Sequence, residues 1–154
     1  MSNQHAPDMN RSSEERARNR PEQRVAAPMR SRHTIDGIGK RSPAKQRNSV
    51  VEANIDMVRE TELIREGYGD RLGNNRWRIN GRVYVREGTA KGTLYPESGP
   101  GVKVLTRNEY KALVLLIRYA GYTVEAEMEL RNTPGMTDEV IAVARAWFGK
   151  RTQR

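Results

Sequence analysis

The first third of this 154-residue chain lacks the large apolar residues that anchor a protein core. Residues 1–48 contain no Leu, Phe, Trp or Tyr, and they hold four of the seven prolines. A segment of this composition cannot bury enough apolar surface to offset the chain entropy that is lost on folding. We therefore expect residues 1–48 to be a disordered arm, residues 49–150 to be one compact domain and residues 151–154 to be a basic tail.

Charge divides at the same boundary. Residues 1–48 hold eleven of the 28 Lys and Arg and five of the 19 Asp and Glu, so their net charge is +6, whereas the rest of the chain has a net charge of +3. A basic arm on a nearly balanced domain is typical of proteins that hold a polyanion, because each cation placed on a phosphate releases a counterion. The same charge also suits a solubilising tail or an arm that docks on an acidic protein.

Several classes of site and location are excluded by composition. The chain has no cysteine, so it has no disulfide, zinc–thiolate site or catalytic thiol. No apolar run approaches the ~18 residues that span a bilayer, and the N-terminus lacks the apolar core of a secretory signal. We expect a cytoplasmic protein with no membrane contact and no cofactor.

The first helix is predicted from a capping motif. The run S-V-V-E places Glu52 three residues after Ser49, as in a capping box. Apolar residues then recur at about helical spacing as far as Ile64, and Gly67 can end the helix. The pattern predicts an amphipathic helix over residues 50–66.

The clearest structural signal is R-W-R-I-N-G-R-V-Y-V-R-E, in which apolar and polar residues alternate on both sides of Asn80-Gly81. Asn-Gly best tolerates the positive φ angles of a type I′ turn. The pattern predicts a β-hairpin over residues 76–87. We expect one of its faces to carry four arginines with Tyr84 among them, namely Arg76, Arg78, Arg82 and Arg86.

A stiff corner follows in T-L-Y-P-E-S-G-P-G, which ends at Gly101. A glycine-rich turn can present backbone N–H groups to an anion. The spacing here differs from that of a phosphate-binding loop, and Pro100 removes one donor. The pattern favours a structural corner and leaves a ligand contact open.

The C-terminal half is predicted to be mainly helical. Thr106 and Glu109 form a second capping box before a helix over 107–120, which is apolar around nearly its whole circumference and should be central. Residues 123–131 alternate as a strand does but are strong helix formers, so we favour a short helix. A last helix is expected over 138–148. The fold class is α+β, with a small antiparallel sheet, the hairpin plus short strands, packed on the central helix.

One stretch carries a resemblance. The segment from N-G-R-V-Y through T-L-Y-P-E-S-G-P-G to L-T-R-N-E-Y-K-A-L, about residues 80–115, resembles small bacterial proteins of phage, plasmid or toxin-cassette contexts. The resemblance implies a bacterial or mobile-element setting, and it brings no activity with it.

The function expected from these features is non-enzymatic binding of RNA or DNA through the arm and the hairpin arginines. Tyr84 among the arginines also suits stacking on a base. The candidate phosphate-binding residues are Arg24, Arg30, Arg32, Lys40, Arg41, Lys45, Arg47, Arg76, Arg78, Arg82 and Arg86.

Two other functions stay open. Both histidines lie in the arm and no metal-binding motif is present, so catalysis would have to be that of a histidine-free ribonuclease toxin, in which cationic and phenolic groups stabilise the phosphate. Its candidate residues are Arg82, Tyr84, Arg86, Tyr95 and Lys103. The third function is a protein–protein adaptor whose basic arm docks on an acidic partner.

Overall fold

The computed structural model describes residues 11–21, 25, 33–87 and 92–152. Within them the chain forms helices and antiparallel strands, which confirms the predicted α+β class. In chain order the elements are α1 Ser13–Asn19, a 3-10 helix Ile35–Gly37, β1 Arg47–Val51, α2 Met57–Arg65, β2 Asp70–Arg71, β3 Arg76–Ile79, β4 Arg82–Arg86, β5 Leu94–Ser98, β6 Val102–Thr106, α3 Arg107–Arg118, α4 Val124–Arg131 and α5 Asp138–Phe148.

The described residues divide into two compact units. The first unit contains those of Met1–Arg30 and Ile55–Lys103, and the second contains those of Ser31–Asn54 and Val104–Arg154. Each unit therefore takes part of the first 48 residues. The division does not coincide with the boundary that composition predicts after residue 48.

Four antiparallel strands form the sheet of the first unit, in the spatial order β2-β3-β4-β5. The predicted hairpin is confirmed as β3 and β4, joined by Asn80 and Gly81 at φ of 53° and 79°. Positive φ at both turn positions is the property for which Asn-Gly is favoured. One face of this sheet shares a core with α2, and the core residues are Val25, Leu63, Ile64, Trp77, Ile79, Tyr84 and Leu94.

The first 48 residues differ from the predicted disordered arm over the part that the structure describes. Helix α1 lies in this segment and begins with a capping box. Val25, Ile35 and Ile38 are almost completely buried. Three aliphatic side chains are too few to build a core, but they add to cores that later residues build. Residues 1–10, 22–24 and 26–32 lie outside the described residues.

Asn19, the last residue of α1, joins that helix to the rest of the first unit. Its buried side-chain amide donates to the carbonyls of Gly67, at 3.0 Å, and Gly69, and its Oδ1 accepts from the backbone N–H of Arg71 at 3.1 Å. Its own carbonyl accepts from the indole N–H of Trp77 at 3.2 Å. Side-chain hydrogen bonds to backbone thus hold this helix in place where apolar residues are scarce.

The beginning of the predicted helix 50–66 is corrected by the structure. Residues Arg47–Val51 form strand β1. The helix is Met57–Arg65, so it begins at residue 57 and not at the predicted residue 50. Asp56 caps this helix, since its carboxylate accepts from the N–H of Arg59 at 3.0 Å. The S-V-V-E motif is a chance match to a capping box, because its two β-branched valines are buried in the strand.

In the second unit, helix α3 lies at the centre. Thr106 and Glu109 form the predicted capping box, with distances of 3.2 Å and 2.8 Å between their side-chain oxygens and the backbone nitrogens. Residues 112–117 are all buried, and α3 packs chiefly on α5, with α4 and β1 also in contact. The predicted helix over 107–120 is confirmed.

The other two C-terminal helices also agree with the sequence. Thr123 caps the helix Val124–Arg131, so the helical interpretation of 123–131 is confirmed over the alternating one. Thr137 caps the helix Asp138–Phe148, whose predicted bounds are confirmed. A threonine cap with acids in the first turn favours helix initiation even where apolar residues alternate.

The packing of the sheet differs from the prediction. Strands β1 and β6 pair as a separate two-stranded sheet. Buried residues of α3 form a core with Ile35, Ile38, Val50 and residues of α4 and α5. The buried residues of the hairpin belong to the core with α2 instead. The hairpin sheet and helix 107–120 therefore contribute to two separate cores.

The basic tail predicted for 151–154 is partly fixed inside the second unit. The Arg151 guanidinium donates to the carbonyls of Ile35, at 2.9 Å, and Ile38, at 3.0 Å. The next residue, Thr152, donates its backbone N–H to Asp36 at 2.7 Å. Residues 153 and 154 lie outside the described residues.

Candidate functional site

The hairpin arginines do not share one face. Register pairs Arg76 with Val85 and Arg78 with Val83, whereas Ile79 pairs with Arg82. Cross-strand partners lie on the same face of a sheet. Arg76 and Arg78 therefore lie on one face, and Arg82 lies with Tyr84 and Arg86 on the other. The predicted single arginine face is wrong.

Arg82 and Tyr84 point into the first unit, where both meet Glu60 of α2. Arg82 Nε donates to Glu60 Oε1 at 2.9 Å, and its Nη2 forms an ion pair with Oε2. The Tyr84 hydroxyl donates to Oε1 at 2.6 Å, and the Asn80 amide donates to Oε2 at 2.8 Å. Glu60, Arg82 and Tyr84 are 4%, 9% and 0% exposed. We call these four residues the Glu60 cluster.

The electrostatics of the Glu60 cluster keep its donors protonated. Burial, and next the Glu60 carboxylate, raise the pKa of the Tyr84 phenol far above its usual value of 10. The hydrogen bond to Glu60 raises the pKa of Arg82, against the opposing effect of burial. Tyr84 therefore donates a hydrogen bond and does not act as a base, and Arg82 is not accessible to a phosphate.

The proline–glycine corner closes on the Glu60 cluster. The Pro100 carbonyl accepts from Arg82 Nη1 at 3.2 Å. Gly99 has φ of 116°, and a Cβ there would lie 2.6 Å from the Cα of Arg82. The pyrrolidine ring of Pro100 lies beside Gly81 of the hairpin turn. These contacts favour the structural interpretation of the corner, because Gly99 and Pro100 both pack against the hairpin.

The remaining hairpin arginines differ in how they are engaged. Arg76 forms a two-point ion pair with Glu97. Arg86 donates to Asn75 Oδ1 and to the Asn74 carbonyl, and its guanidinium lies 5.5 Å from the centroid of the Trp77 ring. Arg78 is exposed, and its side chain makes no hydrogen bond or ion pair among the described residues.

The five candidate ribonuclease residues are not brought together. Arg82 and Tyr84 are enclosed in the Glu60 cluster, and Arg86 is held by asparagines. Tyr95 pairs with Val85 and so lies on the opposite face of the sheet from Tyr84. Lys103 is an exposed residue of β6. No single phosphate can contact this set.

The candidate phosphate-binding residues of the first 48 fall into two groups. Arg24, Arg30 and Arg32 lie outside the described residues. Lys40, Arg41, Lys45 and Arg47 are exposed residues of the second unit. They lie in residues 37–51, which contain no Asp or Glu. These four cations are therefore available to an anion.

A cavity of about 370 Å³ adjoins this basic segment in the second unit. Its walls are the chain between Lys40 and Lys45, helices α3 and α4, and the loop that leads to α5. Its lining residues are Ser42, Ala44, Arg107, Lys111, Val114, Leu115, Arg118, Glu129, Thr133 and Met136. We call this cavity the basic groove, and we include in it the exposed cations that flank Ser42 and Ala44 in the chain, namely Lys40, Arg41, Lys45 and Arg47.

Helix α3 sets the cationic side of the basic groove. Arg107, Lys111 and Arg118 are spaced four and seven residues apart, so they lie along one stripe of the helix. Arg107 and Lys111 are exposed and make no ion pair among the described residues. This stripe was not singled out from the sequence, although a helical projection of 107–118 contains it.

Glu129 is the single carboxylate that lines the basic groove, and it is engaged on both sides. Its Oε2 pairs with Arg118 Nη1 at 3.4 Å, and its Oε1 accepts from the Tyr119 hydroxyl at 2.6 Å. This hydrogen bond raises the pKa of the Tyr119 phenol. Arg118 also donates from Nη2 to the Lys40 carbonyl at 3.3 Å, which ties the basic segment to α3.

The loop before α5 is fixed at the other end of the basic groove. The Thr133 hydroxyl donates to the Glu129 carbonyl at 2.7 Å. Asn108 donates from its amide to the Gly135 carbonyl at 3.4 Å, and Gly135 has φ of 83°. Each wall of the basic groove is thus positioned by contacts within the second unit.

No protein-family model, curated protein or solved structure matches the chain. None of the helices that the structure describes is long and apolar enough to cross a membrane. Among the same residues, no group of three or more His, Asp or Glu side chains is placed to hold a metal ion. The chemistry of the basic groove therefore rests on its own residues.

Proposed function

We propose that this protein binds nucleic acid without catalysing a reaction on it, and that the basic groove holds the phosphates. The observation that carries the proposal is the set of exposed, unpaired cations Arg107 and Lys111 beside the exposed segment that contains Lys40, Arg41 and Lys45. Cations that are free of internal partners can each neutralise a phosphate and release a counterion.

The charge around the basic groove supports an anionic ligand. Six lysines and arginines besides Arg118 belong to it, against the single carboxylate of Glu129, which Arg118 already pairs. Clefts lined by one sign of charge concentrate ligands of the opposite sign. The cations of the hairpin contribute less, because Arg82 is buried and Arg76 is paired with Glu97.

The test is the salt dependence of binding to a labelled oligonucleotide. The double variant Arg107→Ala, Lys111→Ala should bind more weakly, and the slope of log K against log salt should fall by about 1.4–1.8, which corresponds to roughly two lost phosphate contacts. The matched control is Arg18→Ala, Arg59→Ala, which removes two exposed cations of the first unit that are not candidate phosphate-binding residues. We expect the control to keep the slope of the unaltered protein.

The proposal also predicts the effect of the basic segment. Replacing Lys40, Arg41, Lys45 and Arg47 together by Ala should lower the salt slope further, and far-ultraviolet circular dichroism should verify that the fold is kept. A salt slope that is the same in all of these variants, or oligonucleotide binding that does not depend on salt, would show that the basic groove holds no phosphate.

A second candidate function, that of a protein–protein adaptor, is favoured by one observation. Val124 and Met128 lie one turn apart on α4 and are 72% and 61% exposed. Exposed apolar side chains that adjoin one another are typical of contact surfaces. After nuclease treatment, an adaptor would retain one protein in a fixed ratio, and Met128→Glu would release it.

We further propose that the protein acts in the cytoplasm of a bacterium or on a mobile element. The lack of cysteine is compatible with a reducing compartment. The setting rests on the resemblance of residues 80–115 alone. Fractionation of cells that express the tagged chain would test the location.

A further inference from the structure

We infer that the basic groove accepts one unpaired base, so that the ligand is single-stranded nucleic acid. This inference rests on the proposed function and names its ligand class. Single-strand recognition combines a cationic track for the backbone with a site that receives bases out of the stack. The basic groove offers both features in the second unit.

The interior of the cavity is suited to a flat, partly apolar group. Val114 and Leu115 line it and are 5% and 6% exposed, and Met136 and Ala44 add further apolar surface. A volume of about 370 Å³ lies near the lower end of the roughly 300–1,000 Å³ typical of small-molecule sites. Phosphate binding alone needs no such apolar floor, because phosphates remain hydrated.

The polar groups of the cavity suit the edge and the face of a base. The Arg118 guanidinium is held by Glu129 and by the Lys40 carbonyl, so it offers a fixed planar surface for stacking. Each Glu129 oxygen accepts one hydrogen bond from the protein and has a second lone pair for a ring or amino N–H of the base. All four common bases carry such a donor on their pairing edge.

Two cations at the cavity are positioned to bind the phosphate of the nucleotide whose base enters it. Arg107 and Lys111 line the cavity and are one helical turn apart, on the stripe that also contains Arg118. A base inside the cavity thus keeps its phosphate beside two unpaired cations. A paired base is stacked inside a duplex and cannot enter, so duplexes contact the basic groove through phosphates alone.

The test compares three labelled probes of equal length by fluorescence anisotropy. They are a single strand of mixed sequence, the same strand in a blunt duplex, and a strand of abasic spacers that keeps every phosphate. We expect the single strand to bind about tenfold more tightly than the abasic strand, which is within the range that one stacked base contributes. We expect the duplex to gain nothing from its bases.

The outcomes separate this inference from the proposed function. Equal binding of the single and abasic strands, still weakened by Arg107→Ala, Lys111→Ala, would overturn the base site and leave phosphate binding intact. Failure of all three probes to bind would overturn both. A free mononucleotide that competes as effectively as the single strand would mean that the ligand is a free nucleotide, and it would overturn the single-strand assignment.

Two variants locate the base site. Met136→Trp should fill the cavity, which reduces single-strand binding to the level of the abasic strand and leaves abasic binding unchanged. Glu129→Gln removes a negative charge, so it should strengthen binding of both strands through their phosphates while the ratio between them falls. The matched control Glu125→Gln lies on the same helix but does not line the cavity, and the ratio should stay constant. An unchanged ratio in Glu129→Gln and Met136→Trp would overturn the assignment.

Discussion

Glu60 on helix α2 and Arg82 at the start of strand β4 form a two-point ion pair in the interior of the first unit. The pair fixes the helix to the hairpin, and through Arg82 Nη1 it also holds the Pro100 carbonyl. An ion pair in this position is costly to break, because removal of one partner leaves the other charged and buried.

Replacement of Glu60 should therefore destabilise the protein strongly. We expect Glu60→Gln to lower the free energy of unfolding by about 3–5 kcal/mol, since the Arg82 guanidinium then lacks its counter-charge. Urea denaturation followed by tryptophan fluorescence measures this. Glu62→Gln is the control, because Glu62 lies on the same helix with a half-exposed side chain; a similar loss in both variants would contradict the role given to Glu60.

Loss of the Tyr84 hydroxyl should affect stability and not binding. Tyr84→Phe removes one hydrogen bond to a buried carboxylate, and we expect a loss of about 1–3 kcal/mol in the free energy of unfolding. Oligonucleotide affinity should stay unchanged, since Tyr84 is buried within the first unit and the basic groove belongs to the second. RNA cleavage that Tyr84→Phe abolishes while the fold is kept would favour the ribonuclease hypothesis instead.

The same phenol should make the protein sensitive to alkali. The pKa of Tyr84 is raised in the folded state, so above the unfolded pKa of about 10 the unfolded chain releases a proton that the folded chain keeps. Stability from this group is complete below about pH 10 and falls above it, by at most about 1.4 kcal/mol per pH unit. Urea midpoints at rising pH should fall more steeply for the unaltered protein than for Tyr84→Phe, and parallel curves would contradict the assignment.

The glycine of the corner should tolerate no side chain. Gly99→Ala must adopt φ of 116° and place its Cβ 2.6 Å from the Cα of Arg82, and a strained residue costs about 1–3 kcal/mol. We expect the thermal midpoint to fall. Gly73→Ala is the control, because nothing lies within 4 Å of its Cβ position and its φ is not positive; a fall of equal size there would contradict the close approach.

The side chain of Asn19 should be needed to hold α1 against the rest of the first unit. Asn19→Ala removes its side-chain hydrogen bonds to Gly67, Gly69 and Arg71, and buried polar partners left unpaired cost about 1–3 kcal/mol each. In limited proteolysis, the protease should cleave α1 of the variant after a shorter digestion time than α1 of the unaltered protein. Asn54→Ala, at an exposed position, should leave the pattern of cleavage unchanged.

Local signals in the sequence predicted local structure well. Asn80-Gly81 located the hairpin, and threonine caps at positions 106, 123 and 137 located three helices. These signals act through backbone conformation and short-range hydrogen bonds, so they need no tertiary partner. The motif at Ser49 failed for the converse reason, since pairing of β1 with β6 overrides a cap.

The candidate site was harder to predict than the local structure. One part of it, the division of the hairpin arginines between the two faces of the sheet, could have been predicted. A two-residue turn makes Ile79 pair with Arg82, so these two residues lie on the same face of the sheet. Because alternate residues of a strand point to opposite faces, Arg76 and Arg78 lie on the other face. The sequence contained that information. The burial of Glu60 and the cavity beside Lys111 could not be predicted from the sequence, because each depends on contacts between elements that are distant in the chain.

The order of the chain through the two units has a consequence for biosynthesis. The core of the second unit joins Val50 with Leu113 and Trp147, and the whole of Ile55–Lys103 is translated between the first of these and the second. Strand β1 therefore leaves the ribosome long before β6. During that interval β1 lacks its paired strand, and Val50 lacks the side chains of α3 and α5 that complete its core, so a chaperone that binds nascent chains should recognise this strand.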